Sequence, residues 1–162
     1  MSDGIDLLEI NGVGHGLILT LLAEVGMDLS SFPSHKHFVS WLCLCPNKKV
    51  SGGKVLSSKT QKNKSRLRQA FKHAAVAVAK KKGEPLADFY RKMAIKQGKN
   101  TAVVATARKL AIIAYNMIEK RQPYRPQQLE EYQQKVRLQK IKHIQRTMKR
   151  LDISSEEIAN AV

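Results

Sequence analysis

The chain has 162 residues and a mass of 18.2 kDa, room for one domain or a domain with an appendage and enough length to bury a core. Lys and Arg number 29 against 13 Asp and Glu, so the formal charge is +16 and the pI about 10.1; this argues against an ordinary enzyme of small neutral metabolites and for a polyanionic partner, nucleic acid before a membrane surface. Apolar runs such as Leu17 to Ala23 fall short of the roughly 20 residues of a bilayer span, no signal-peptide order opens the chain, and Cys43 and Cys45 stand too close for an ordinary disulfide, so a soluble protein of a reducing compartment is expected. Residues 2 to 9 read as the last turns of a helix broken by Asn11-Gly12-Val13-Gly14, and Leu17, Leu21, Leu22 and Val25 then form one apolar stripe that Gly26 stops. Ser34 is a fair N-cap for a short helix carrying Phe38, Trp41 and Leu42, which Pro46 ends. Residues 47 to 58 have no helical period and read as an exposed loop or irregular hairpin around Ser51-Gly52-Gly53-Lys54. Leu67, Phe71, Ala74, Ala75 and Val78 then mark the apolar face of a helix, and Pro85 restarts the chain for one lined by Leu86, Phe89, Tyr90 and Met93. Val103, Ala107, Leu110, Ile113, Ala114 and Met117 give the clearest core helix, within 102 to 118. Pro123 and Pro126 mark a boundary before a polar, basic helix over 127 to 151. Its thin seam of Leu129, Tyr132, Val136, Ile141, Ile144, Met148 and Leu151 skips register after Val136, which suits docking or self-association better than a long coiled coil.

The expected fold is therefore all-α, with a helical domain over 1 to 122 and a basic helical tail over 123 to 162. Its charge is uneven. From Leu29 to Gly83 there is no Asp or Glu, while 13 Lys and Arg fall in the same stretch, whereas a merely solvated face normally mixes both signs. Within and beside it lie two segments suited to chemistry. Ile10 to His15 is the pattern of a helix-hairpin-helix spanning about 5 to 26, in which Gly12 and Gly14 allow a tight turn whose amides can meet a DNA phosphate; the alternative is a tight turn without a ligand. Ser51, flanked by Gly52, Gly53 and Lys54, can present an unobstructed hydroxyl to a phosphodiester with lysines to hold the phosphate; the alternative is a flexible turn. The P-loop order is missing.

Taken in order, Ile10-x-Gly12-Val13-Gly14, Leu21 to Gly26, Phe32 and Ser34, Trp41-Leu42, Leu44-Cys45-Pro46-Asn47, Ser51-Gly52-Gly53-Lys54, Ala74-Ala75, Phe89-Tyr90-Arg91 and Ala102 to Tyr115 resemble the C-terminal domain of the insertion-sequence one-ten type transposases, the DEDD or bridge-RNA-guided recombinases. The Ser-Gly-Gly-Lys form and the basic tail look most like the one-one-one-one subgroup. The resemblance implies a serine that becomes covalently joined to DNA during strand exchange, here Ser51, with Ser57 and Ser58 as fallbacks and Lys54 and Lys59 beside the phosphate. The glycine turn, the Ser51 loop and the acid-free basic stretch place the candidate nucleic-acid contacts at Gly12, Gly14, Lys48, Lys49, Gly52, Gly53, Lys54, Lys59, Lys62, Lys64, Arg66 and Arg68. DNA, at transposon ends and target, is the implied partner, with a structured guide RNA, a homo-oligomer and a prokaryotic, nucleoid-associated cytoplasmic location; no membrane and no cofactor in this chain are implied.

The sequence also departs from the family. The acidic RNase H-like domain that would bind divalent metal, such as Mg, is expected to be missing: only Asp3, Asp6 and Glu9 precede the hairpin, and the start at Met1 reads as a truncated gene, an internal start or an expressed fragment. Cys43 stands where relatives commonly have Gly, and Asn63 where some have Gly. His35-x-His37 with Cys43-x-Cys45 offers four zinc-type ligands at spacings unusual for structural sites, and Phe38 and Trp41 read as core rather than as base-stacking groups. His73 and His143 suggest no catalytic partner. A non-catalytic nucleic-acid-binding module is the competing reading.

Overall fold

A computed structural model describes residues 5–47, 49–61, 64–81, 83–124 and 129–152. The chain divides into two compact units, Met1–Tyr124 and Arg125–Val162. The first contains α1 (His15–Glu24), α2 (His35–Trp41), β1 (Lys49–Ser51), β2 (Lys54–Ser57), α3 (Arg66–Ala79), α4 (Pro85–Gln97) and α5 (Lys99–Lys120); the second contains α6 (Leu129–Leu151). The class is all-α with one small hairpin, as the sequence leads one to expect.

The core is built on α5, against which α2, α3 and α4 pack, while α1 lies on α3. Small residues let the helices approach: Ala102, Ala107, Ala111 and Ala114 are buried along α5 beside Leu110, Tyr115, Met117 and Ile118. By length and composition α5 could cross a membrane, yet half of that segment is buried inside the protein, as in a core helix. Val103 and Ile113, expected in the core, are half-buried at its edge. On α3 the buried face is Leu67, Phe71, Ala74, Ala75 and Val78, as the spacing predicts. The Ser65 side chain accepts from the Arg68 amide at 3.2 Å and caps this helix, a contact whose loss costs about 1 kcal/mol. Phe38 anchors α2 among Phe32, Phe71 and Tyr115, and the Tyr115 hydroxyl donates to the Phe32 carbonyl at 2.8 Å, tying the loop before α2 to α5.

The structure differs from expectation at two places, and it leaves the described seam residues of α6 largely exposed. Before the glycine turn stands a three-residue 3₁₀ turn, Leu7–Glu9, whose first amides are met by the Asp6 carboxylate (Leu8 N to Oδ1, 2.8 Å); the chain turns extended at Ile10. Of Leu7, Leu8 and Ile10, which suggested a helix, Leu7 and Ile10 are core contacts of that turn and Leu8 is exposed. Trp41 is 44% exposed and lies against Phe32 and Phe38, because Phe38, Val39 and Leu42 already fill the buried side of the short α2. On α6, Leu138, Ile141, Ile144 and Leu151 are exposed and Met148 half-buried; the side chains of Leu129, Tyr132 and Val136 lie outside the described residues.

Candidate nucleic-acid interface

The Ser51 segment is a two-stranded antiparallel hairpin in which Ser51 pairs with Lys54 and Val50 with Val55. β-branched valines favour the strands, and a two-residue connection with positive φ at both central residues is the turn that matches strand twist. Gly52 (φ +55°) and Gly53 (φ +75°) supply those angles, and a Cβ added at either would touch nothing within 4 Å. These glycines supply the turn angles and press on nothing within the protein. Because partners across a ladder point to the same side, Ser51 and Lys54 share one face, their Cβ atoms about 4.5–5.5 Å apart. A register irregularity between Lys49 and Val50 brings Lys49 opposite Ser57, on that same face, while Val50 and Val55 share the other.

Ser51 is exposed, and its hydroxyl makes no hydrogen bond among the described residues. Ser57 is half-buried and its Oγ accepts from the Lys59 amide at 3.3 Å, and Ser58 lies exposed beyond β2. Lys49, Lys54, Lys59, Lys64 and Arg66 are all exposed; Lys48, Lys62 and Asn63 lie outside the described residues.

The base of the hairpin is fastened to the core. Pro46 and Thr60 form an isolated bridge, and the Asn47 amide donates to the Lys59 carbonyl at 3.2 Å. From α3, Arg68 Nη2 donates to Thr60 Oγ1 at 3.2 Å, and Arg68 is only 8% exposed. Arg68 thus spends most of its surface inside the protein, whereas Lys49, Lys54, Lys59, Lys64 and Arg66 face solvent. Cys43, in the turn leaving α2, has φ +52°, the left-handed region in which glycine is at ease. The backbone keeps the conformation that suits a glycine at this position, with the thiol directed at the Trp41 carbonyl and the Gln61 side chain at 3.7 and 3.9 Å.

One residue of this region went unnoticed in the sequence. Glu24, at the end of α1, accepts from the Leu67 amide (3.3 Å) and the Ser65 hydroxyl (3.1 Å), so a carboxylate already occupies the first turn of α3, the place where an anion would otherwise sit. Its signal was position: the last residue of α1, shortly before the acid-free stretch in which α3 begins.

The first glycine turn is built differently. Gly12 has φ +87°, and an added Cβ would lie 2.4 Å from Val78 Cγ2 and 2.9 Å from the Ala74 carbonyl oxygen. Gly12 is thus a close-approach glycine pressed onto α3. Gly14 is the exposed N-cap of α1 with extended backbone, and its carbonyl accepts from Leu17 and Ile18 at 3.0 and 3.3 Å, so the amides of His15 and Gly16 begin the helix without helical acceptors. Beside them, Lys81 Nζ donates to Asn11 Oδ1 at 2.7 Å and brings a cation to the turn.

Among the described residues no three His, Cys, Asp or Glu side chains come together in a metal-holding group. The donor set present here does not fit a divalent ion, nor a zinc held by His35, His37, Cys43 and Cys45; the His37 ring instead faces the Ser34 hydroxyl at 2.9 Å.

Comparison with curated proteins and with solved structures finds no match to the chain. A profile of the Transposase IS116/IS110/IS902 family matches residues 6–91, a little over half of the 162 residues, and spans both glycine turns, the hairpin, α3 and the first half of α4. The chain belongs to this family of transposases.

Proposed function

We propose that this chain is the serine-bearing, DNA-binding part of a transposase and that Ser51 joins covalently to DNA during strand exchange. Family membership makes the function transposase-related and DNA the partner. The observation that carries the finer reading is the pairing of an exposed serine with Lys54 on one face of an exposed hairpin, inside a stretch from Leu29 to Gly83 that lacks any carboxylate. Ser51 Oγ would form its bond to phosphorus as the bond from phosphorus to a deoxyribose oxygen breaks. The hydroxyl proton leaves to a base, the departing oxygen takes one up, and rejoining runs the same exchange backwards, so phosphodiester energy is kept in the serine ester. Lys54 and Lys49 would stabilise the charge that develops on the phosphoryl oxygens, and Lys59, Lys64 and Arg66 would hold the flanking backbone. The helix-start amides of His15 and Gly16 and the nearby Lys81 suit a second phosphate, with Gly12 shaping that turn.

The residues described do not fit a divalent ion, so any acidic, metal-binding centre acts from outside them, and no step here runs through a metal. Membership of the bridge-RNA-guided, one-one-one-one type, a structured guide RNA, assembly into a homo-oligomer and a nucleoid-associated cytoplasmic location belong to the same proposal. The competing reading, a binding module that uses Ser51 only as a turn residue, draws on the lack, among the described residues, of a hydrogen-bond partner for Ser51 that could take its proton.

The test supplies the chain with the family's acidic, metal-binding part and Mg, and uses DNA with a bridging phosphorothiolate, whose thiolate leaves without being protonated. A denaturation-resistant adduct mapping to Ser51, lost in Ser51→Ala and kept in Ser57→Ala and Ser58→Ala, is the expected result. DNA binding without any adduct favours the module. In parallel, Lys54→Ala should lower the slope of log K against log salt by about 0.9, the value of one phosphate contact.

A further inference from the structure

The hairpin has a second face that the proposed chemistry does not use. Val50 is 58% exposed, Val55 59% and Leu56, the extra residue of the irregular strand, 70%. A two-stranded ribbon usually buries one face on a core, but among the described residues this one has no third strand, and neither strand has a buried residue. An apolar pair thus stands in solvent directly behind Ser51 and Lys54, separated from them only by the thickness of one backbone.

What covers Val50 and Val55 must also tolerate the charge around them. A second copy of this chain would bring the same acid-free, basic stretch against itself, and an ordinary apolar protein surface would leave those lysines uncompensated. A DNA strand meets both demands, because its phosphates suit the lysine face while its sugars and base edges present apolar surface a few ångströms away. For both faces to be occupied together, the ribbon must lie between a backbone and its bases, which a stacked duplex resists and a locally unstacked one allows; apolar wedges between base steps do this elsewhere.

We infer that Val50 and Val55 form a base-contacting wedge behind the Ser51 face, so that the chain prefers DNA with locally unstacked bases over fully paired duplex. The inference rests on DNA being the partner. Its test compares a paired duplex with the same duplex carrying a short internal mismatch, for the intact chain and for Val50→Thr/Val55→Thr, which keeps β-branching and shape while adding a hydroxyl to each side chain. The intact chain is expected to bind the mismatched DNA about tenfold more tightly, and the double variant to lose that preference while its affinity for paired duplex and its salt slope stay unchanged. Amide exchange across β1 and β2, equal in both proteins, shows that the ribbon still forms; a ribbon lost in the double variant moves the same comparison to Val55→Thr alone, expected to lose part of the preference. No preference in the intact chain, or a preference the variants keep, overturns the wedge. So does a change of oligomeric state in the double variant with DNA binding untouched, since the face would then lie between copies. Failure of the intact chain to bind either DNA instead removes the DNA-binding reading beneath it.

Discussion

Two glycine turns of this protein carry similar backbone angles and opposite surroundings. At Gly12 a Cβ would strike Val78 and the Ala74 carbonyl, whereas at Gly52 and Gly53 it would meet open space. The first turn uses glycine to bring two chain segments together; the second uses it to reverse a ribbon in solvent. Positive φ and a Gly-x-Gly or Gly-Gly spelling are common to both, so only the neighbours supplied by the fold separate a packing glycine from one that frees a surface.

The sharpest way to break this comparison is substitution at the two turns. Gly12→Ala combines a strained φ with a clash against helix backbone and should destabilise the whole domain by about 2–4 kcal/mol, seen as a lower thermal midpoint. Gly53→Ala meets no atom and carries only the strain of its φ, about 1 kcal/mol, so it should lower that midpoint much less and raise chiefly the amide exchange of Val50 to Ser57. Equal midpoints for the two variants would contradict the distinction.

A smaller effect concerns how the exposed ribbon is held. Thr60→Val removes the acceptor of Arg68 while keeping shape, and should cost about 1–3 kcal/mol because the Arg68 guanidinium is left buried with one contact fewer. Thr60→Ser should restore most of it, and the salt slope of DNA binding should hold steady in both, since Arg68 presents little surface to a phosphate. A slope lowered by about one in Thr60→Val would show that Arg68 takes part in the phosphate contact instead.

The smallest expected change is a gain. Cys43 adopts a left-handed angle, so Cys43→Gly should stabilise the fold by about 0.5–1 kcal/mol in a denaturant titration, the relief of side-chain strain being partly offset by the greater freedom of glycine in the unfolded chain. A loss of stability would mean that the thiol contacts to Trp41 and Gln61 outweigh the strain.

Much of the fold was legible because helical period reports burial: the faces of α3 and α5 follow from Leu67 to Val78 and from Ala102 to Ile118. The same rule misled at Leu7, Leu8 and Ile10, where one short turn satisfied a helical pattern, and at Trp41, where a seven-residue helix had too little buried face for another large ring. The exposed serine between two strands was suggested by its glycines, but the pairing that sets Lys54 beside Ser51 and the valines behind it depends on register. Contacts across distant sequence, such as Glu24 on the start of α3 and Arg68 on Thr60, leave no local pattern to read.

The central claim is that the ribbon, rather than the Gly12 turn, makes the principal nucleic-acid contact. Amide chemical-shift mapping of the intact chain during titration with duplex DNA tests it most directly. The account predicts the largest shifts at Val50 to Ser57, with smaller ones at Gly14 to Gly16 and none through the buried Leu110 to Ala114 segment. Shifts confined to Asn11 to Gly16, with the ribbon unmoved at saturating DNA, would contradict it.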